Sequence, residues 1–558
     1  NMKVSEMPYQ RISQEEVLSY LQECEEKLHN AKNAQAQKQI YDEAQEYFEN
    51  VMTMSSLAYI RFSQDTRDKF YGDEQDYYDS VMPLIGARST ELGNLLLDSP
   101  FRKELEKLYP PVFFRNLEIA RKANDRKIVS LTVQENQLVT EYTKRMSGIT
   151  VPFRGEILPP SGLRKYFTSD DRSVRKEAME ALGTEFLKIA EATDDVFDRM
   201  VKVRTEMAQT LGYESFVTLG DLRMGRNCYT REDLARLREN VQQYLVPLVC
   251  ELREKINPAL GIDRTMLYDN DVFSQTEPKP IGTVEEIFQN GVKMYEELNE
   301  KTGELIRRMI DCEAFDVLSR EGKWGGGYCT ELPKYRLPFI LANFNGSSGD
   351  IEVLTHEFGH ALAFDQAYAI ENPALRGTTM ETAEVHSMSM EFFTHPWMGL
   401  FFGKNASIYR FCHIAGAVTF LPYGTMVDAF QEEVYLHPEM TPDKRLELWK
   451  NLEKTFRPYL SQEGLPFFGQ GRAWQKQAHI FESPFYYIDY VIAQLTAFEF
   501  LGQMRKDFDG TFRRYMAFLQ QGGTKTYTDL LQSVGMPSPF EKEAFCDIVA
   551  TIRTELGL

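Results

Sequence analysis

The 558-residue sequence predicts a mainly α-helical fold of two lobes, with a small β-sheet set beside one buried helix. Three observations carry that expectation. Apolar residues recur at helical spacing over most of the chain, runs rich in β-branched and aromatic residues are few, and no internal repeat or low-complexity segment interrupts the pattern.

Taken in order, Ser13 to Glu16 reads as a capping box that opens a charged, periodic stretch reaching roughly residue 60. Further helical patterns cover about 101–123, 171–211, 230–256, 284–311, 443–456, 486–508 and 510–520. Ile149–Phe153 and Gly155–Leu158 are spaced as a small hairpin, and Tyr335–Phe344, rich in β-formers and bounded by Gly346, reads as a strand. His413–Val427 is the least polar long run. It is short for a membrane span and contains Pro422 and Gly424, so it reads as a buried helix and its end. The sharpest break in composition is Pro159-Pro160-Ser161-Gly162. It divides an N-terminal helical region, 1–160, from a region 161–558 that carries the chemistry, the two expected to form one intertwined unit.

A formal net charge of −20 argues against nucleic acid and anionic membrane as partners. The seven cysteines are scattered, odd in number and without a CxxC pair, which suits a reducing compartment and argues against both a disulfide frame and a cysteine-built zinc site. No secretory leader is visible in the polar N-terminal stretch, so the expected location is cytoplasmic.

His356-Glu357-Phe358-Gly359-His360 spells HExxH within a helical pattern. With 8 histidines in the chain, about 0.01 such motifs are expected by chance. At 3.6 residues per turn the two imidazoles stand on one helical face, where they can share a zinc ion, and Glu357 lies beside them within reach of a metal-bound water. Phe358, Ala361, Leu362, Ala363 and Phe364 make the helix apolar, and buried unpaired imidazoles are costly unless a metal takes their lone pairs. A catalytic zinc keeps three protein ligands and one open position. The metzincin arrangement fails, because it needs Gly at 363 and His at 366 where this chain has Ala363 and Gln366. A second helical segment offers Glu381, Glu384 and Glu391, the last two sharing one face. Spacing alone does not choose between Glu381 and Glu384.

Lys323-Trp-Gly-Gly-Gly-Tyr328, Pro338–Asn343, HEFGH and Ala383-Glu384-Val385 with Glu391 together resemble the oligoendopeptidase F branch of the thimet oligopeptidase family, with the segment His479–Tyr490 most similar to its Pz-peptidase group. The resemblance covers about 165–535. It implies an ellipsoid of helices split by a deep substrate channel, one Zn2+ per chain, and Glu384 as the third ligand, 28 residues beyond the first histidine. It also implies Glu391 as the carboxylate that orients a ligand histidine.

On that basis Glu357 is the expected general base, taking a proton from water and passing it to the departing amine. Tyr490 and His479, with Tyr486 and Tyr487, are the expected donors to the oxyanion, although Glu482-Ser483-Pro484 replaces the glycines of the family's loop. Leu341–Asn345, with Ala342 and Asn343 at its centre and Gly326 and Gly327 in a neighbouring loop, is the expected strand edge for substrate backbone. The resulting expectation is a zinc oligoendopeptidase acting on short peptides. Two rivals share parts of the pattern: a metallocarboxypeptidase or dipeptidyl carboxypeptidase, and a peptide-binding protein with a structural zinc. Oligomeric state is not legible.

Overall fold

Helices account for most of the computed structural model, which describes residues 1–558. The mainly α expectation is met, and strands are confined to one hairpin and one three-stranded sheet. No helix is long and apolar enough to cross a membrane.

Several expected helices are interrupted where the chain carries a capping residue. The first stretch breaks into Gln14–Asn30 and Ala34–Gln64 because the Asn33 side chain accepts the Ala36 N–H and starts a new helix. Asn299 does the same between Val284–Leu298 and Glu300–Asp311, where its side chain accepts the Lys301 N–H. Ser13 accepts the Glu16 N–H, as its spacing predicts. The converse error occurs at Pro422. The helix there does not end but runs from Ala406 to Leu436, because Val418, Leu421, Met426 and Val427 are fully buried and their packing outweighs the lost backbone bond. Lys69–Leu97, a helix with Gly72, Pro83 and Gly86 inside it, was hidden by those breakers and is held by buried Val81, Ile85, Leu92 and Leu96.

Strands β1 (Val151–Phe153) and β2 (Glu156–Leu158) pair antiparallel through a two-residue turn, Arg154 and Gly155, both at positive φ as a tight hairpin turn requires. Strands β3 (Phe315–Leu318), β4 (Tyr328–Leu332) and β5 (Leu337–Phe344) form the sheet in the order β3-β5-β4, with β3 parallel and β4 antiparallel to β5. Only β5 was expected. It is buried along nearly its whole length and is the central strand.

Contacts divide the chain into two compact units. The first comprises 1–124, 279–406 and 500–537, and the second 125–278, 407–499 and 538–558. The composition break at 159–162 lies inside the second unit.

Within the first unit, β5 turns directly into the HExxH helix, Ser348–Ala367. The buried Asp350 carboxylate makes that turn by accepting the N–H of Asn345 at 2.9 Å and of Gly346 at 2.7 Å. A second helix, Met380–Phe393, lies against it so closely that a Cβ on Gly359 would stand 2.6 Å from the His386 carbonyl oxygen and 2.8 Å from the Ser387 Cα. Both obstacles are backbone and cannot swing aside. Gly359→Ala is therefore expected to force the helices apart and to lower stability by about 1–3 kcal/mol, measured by denaturant unfolding. An unchanged midpoint would show that the contact is not tight.

Candidate active site

The close helix pair sets three side chains facing one point. The rings of His356 and His360 have centroids 5.2 Å apart and lie 78° from coplanar. Glu384 reaches between them, with Oε2 3.4 Å from His356 Nε2 and Oε1 3.7 Å from His360 Nε2. One donor atom from each residue lies within 4.8 Å of the others. Ligands at about 2.0–2.1 Å around a tetrahedral zinc stand roughly 3.3–3.4 Å apart, so this donor set fits a single ion with little movement. Glu381, the other carboxylate that spacing left open, is turned away: it is buried and accepts the Thr379 hydroxyl at 2.8 Å.

Two of the three are held from behind. Glu391 Oε2 lies 3.1 Å from His356 Nδ1, which directs Nε2 of that ring toward Glu384. The Ser387 hydroxyl donates to Glu384 Oε2 at 2.8 Å. Beneath the motif, Phe358 stacks on buried Tyr295 with centroids 3.8 Å apart.

Electrostatics in the metal-free protein reflect the crowding. Burial opposes ionisation of Glu384, yet its hydrogen bond to His356 and the charge of the two imidazoles outweigh it and hold the carboxyl at about 2. His356 also resists charge through burial, but its bonds to Glu384 and Glu391 push it well above the ordinary histidine range. For His360 burial dominates: the charges of Glu384 and Glu391 oppose it, His356 adds to it, and the pKa comes down to about 4. Glu357, half-buried beside them, is pushed up to about 7, by burial first and then by the like charges of Glu384 and Glu391, with His356 opposing.

The sheet supplies a wall. Gly327 approaches the HExxH helix, where an added Cβ would lie 3.3 Å from Val353 Cγ1. The Cys329 thiol on β4 is driven well above its usual range by burial and then by the nearby carboxylates of Glu357 and Glu331. Cys329 thus lies within electrostatic reach of the candidate base. The expectation that Leu341–Asn345 is an open edge is corrected. β5 is paired on both sides, the Ala342 carbonyl accepts Lys323 Nζ at 2.6 Å, and Asn343 Nδ2 donates to the carbonyls of Trp324 and Gly326 at 2.8 and 2.7 Å. A strand with polar partners on both flanks cannot accept another, and the outer strand on the Gly326–Gly327 side is β4. Lys323 was quoted in the motif but given no task. Its buried ammonium also bonds Asp316 Oδ1, Asp316 O and Leu318 O at 2.9–3.0 Å, pinning the glycine loop to the sheet.

In the second unit, His479, Tyr486, Tyr487 and Tyr490 form one aromatic cluster. His479 lies 5.9, 5.0 and 5.9 Å by ring centroid from the three tyrosines in turn, and Tyr486 and Tyr490 are 4.9 Å apart. Tyr486 and Tyr487 precede the helix that begins at Ile488 rather than lying within it. Burial lowers the pKa of His479 and raises that of Tyr487.

A helical fold built around HExxH, with a glutamate from the next helix and an acid poised to ionise near neutral pH, defines the class as a metallopeptidase-type hydrolase. The chain belongs to peptidase family M3: residues 166–549 match Peptidase family M3 and residues 4–124 match the Peptidase M3 N-terminal domain. It is 22% identical to Oligopeptidase PepF of Bacillus subtilis (strain 168) over 68% of this chain and 57% of the relative. It is 28% identical to Oligoendopeptidase F, chromosomal, of Lactococcus lactis subsp. cremoris over 35% of this chain and 31% of that protein. The chain's matches therefore span little more than half the length of the first curated relative and less than a third of the second. Among solved structures, Pz peptidase A with inhibitor 2 is similar with a TM-score of 0.93 and 39% identity over 100% of this chain and 99% of that one. Oligoendopeptidase-F from Enterococcus faecium, at 13% identity and a TM-score of 0.61 over 98% and 96% of the two chains, shares the fold.

In metal-free protein, histidine-selective NMR is expected to find His356 protonated well above the ordinary range and His360 titrating near 4. Because the folded pKa of His356 is raised, its contribution to stability is complete below the unfolded value of about 6.5 and is lost as pH climbs through the folded value. Glu391→Gln should bring the His356 titration down, and an unmoved titration would show that the two do not interact.

Proposed function

We propose that the protein is a zinc-dependent oligoendopeptidase that hydrolyses internal bonds of short peptides. The observation that carries the reading is the three-donor cluster of His356, His360 and Glu384 with half-buried Glu357 beside it. His356 and His360 would hold the zinc through Nε2 and Glu384 through its carboxylate. When bound, zinc supplies a polarised scissile carbonyl and a water acidified toward neutral pH.

The remaining work belongs to the chain. Glu391 accepts the Nδ1–H of His356 and so keeps the Nε2 lone pair available. Glu357, ionised at and above about pH 7, accepts a proton at a carboxylate oxygen and returns it to the leaving amine. Substrate backbone adds to the outer strand β4, which contacts the HExxH helix and carries Cys329 close to Glu357. The Trp324 ring lies against Gly326, and Gly327 lets the loop close on the HExxH helix beside that strand. Tyr490 and His479, with Tyr486 and Tyr487, donate to the oxyanion. Support for that assignment comes from the resemblance and from local bonding. The Gln477 amide lies 3.0 Å from His479 Nδ1, and its oxygen accepts the Tyr423 hydroxyl at 2.6 Å. Nδ1 then accepts and the proton sits on Nε2, ready to donate. All seven cysteines are free, consistent with work in the reducing cytoplasm.

Peptides blocked at both termini are expected to be cut internally, which an obligate carboxypeptidase or dipeptidyl carboxypeptidase cannot do. Glu357→Gln should retain one zinc per chain while kcat falls by at least about 10³-fold. In the wild type, kcat/KM should fall as pH drops through the Glu357 pKa, at or below about 7 because a bound cation lowers it further. Full activity in the variant would remove Glu357 from the mechanism. Tyr490→Phe should lower kcat by roughly 10²–10³-fold with metal content unchanged, and wild-type turnover would exclude it as a donor.

A further inference from the structure

Phe485 stands immediately before Tyr486 with φ at +71°, a left-handed conformation that glycine adopts freely and a bulky aromatic residue rarely does. Strain of this kind persists only where the surroundings over-determine it, and it gathers where a fixed geometry serves a function. Around Phe485 every group is held. Its N–H donates to Gln431 Oε1 at 2.9 Å, from the buried side of helix Ala406–Leu436. Its carbonyl accepts the Arg226 guanidinium. Its ring is fully buried against Gly220, where a Cβ would stand 2.8 Å from Phe485 Cε2, and the Arg231 guanidinium lies over it, 4.9 Å from the centroid.

One side chain also ties this residue to the start of the next helix. The Arg226 Nη2 that reaches the Phe485 carbonyl lies 3.1 Å from Asp489 Oδ1. Asp489 precedes Tyr490, so a single guanidinium brackets Tyr486 and Tyr487 and fixes the approach to Tyr490. Arg226 is anchored in turn through Nη1 by Asp221, which also accepts Arg231 Nε at 3.1 Å, and Arg231 pairs with Asp428 at 2.7 Å. Upstream, Arg204 grips the Phe481 carbonyl, two residues after His479, while its Nε pairs with Glu135 at 2.6 Å. Two buried arginines therefore hold the backbone on either side of the Ser483-Pro484 turn. Buried ion pairs are weak contributors to stability, so their placement on these two carbonyls points to geometry rather than to folding energy. The geometry they fix sets Tyr486 parallel to the His479 ring within 9°, with Tyr490 edge-on to both.

We propose that Arg226 is a positioning residue for the reaction: by bridging the Phe485 carbonyl and the Asp489 carboxylate it holds Phe485 in its left-handed conformation, and so presents Tyr486 and Tyr490 with His479 as one preset group of donors. The inference rests on the donor role given to these side chains above. Arg226 touches no substrate in this account and acts through the tyrosines alone. Donors set in advance need no reorganisation as the oxyanion forms, and a displacement of about 1 Å in such a group can lower the rate by about 10²-fold.

Zinc-loaded Arg226→Met should cut a doubly blocked peptide with kcat lower by about 10–100-fold, KM within about threefold and metal content unchanged. That variant leaves Asp221 and Asp489 short of a partner, so Gln431→Met serves beside it. It keeps every charge paired, removes the acceptor of the Phe485 N–H and should lower kcat in the same sense. In protein already carrying both Tyr486→Phe and Tyr490→Phe, either substitution should lower kcat by no more than about a further twofold, because the groups it positions are gone. Losses that simply multiply would show a general structural effect and overturn the proposal, as would wild-type kcat in both single variants. Metal-free protein gives a readout apart from activity. The His479 titration, lowered by burial, should move up toward the ordinary histidine range in Arg226→Met as the segment loosens, and an unmoved titration would overturn the proposal. Wild type that cuts no blocked peptide, or full turnover in Tyr490→Phe, would instead overturn the donor reading. The titration would then still decide whether Arg226 holds the segment.

Discussion

Between Gly359 and the backbone at His386–Ser387 there is no room for a methyl group, and the site's geometry follows from that contact. A helix delivers two histidines four residues apart on its own, but it cannot bring a third donor to the same point. The donor must arrive from another element at the separation a small ion demands, and here a glycine inside HExxH lets the second helix come close enough for a glutamate side chain to lie between the imidazoles. The same approach puts Glu391 one face-repeat further along, behind His356. A larger residue at 359 would displace ligand and supporting carboxylate together.

The collected charges explain why such a site is a poor stabiliser and a good host. Three carboxylates and two imidazoles share a half-buried space, and with no cation four of the five are forced from their ordinary ionisation: His356 up, His360 down to about 4, Glu384 down to about 2, Glu357 up to about 7. One divalent ion relieves the pressure on the first three and sets the charge against which the fourth works. Buried polar clusters of this kind contribute little to folding and are retained for what they bind. The anchoring of Lys323 among four acceptors plays the complementary part, pinning the glycine loop, with the Trp324 ring laid over Gly326, to the sheet.

Motif and period made part of this legible. HExxH names its own helix and its face, and Glu384 and Glu391 share a face at seven-residue spacing, so the elements of the cluster can be read without coordinates. The choice of Glu384 over Glu381 comes from the family resemblance and not from spacing, because both lie on one helix and the crossing of the helices is what separates them. Sheet order was hidden for a related reason. β5 is long and rich in β-formers, whereas β3 and β4 have 4 and 5 residues and are defined by their pairing to it, so an isolated reading mistook the central strand for an edge. Pro422 and the glycines and proline of Lys69–Leu97 misled in the opposite direction, as local breakers overruled by buried packing.

Anomalous diffraction from crystals of the protein purified without chelator, collected on both sides of the zinc absorption edge, bears most directly on the central claim. The account predicts one peak per chain about 2 Å from a ring nitrogen of His356, a ring nitrogen of His360 and an oxygen of Glu384, with Glu357 close by and not bonded to the ion. No peak there at full zinc exposure, or a peak held by other residues, would contradict it.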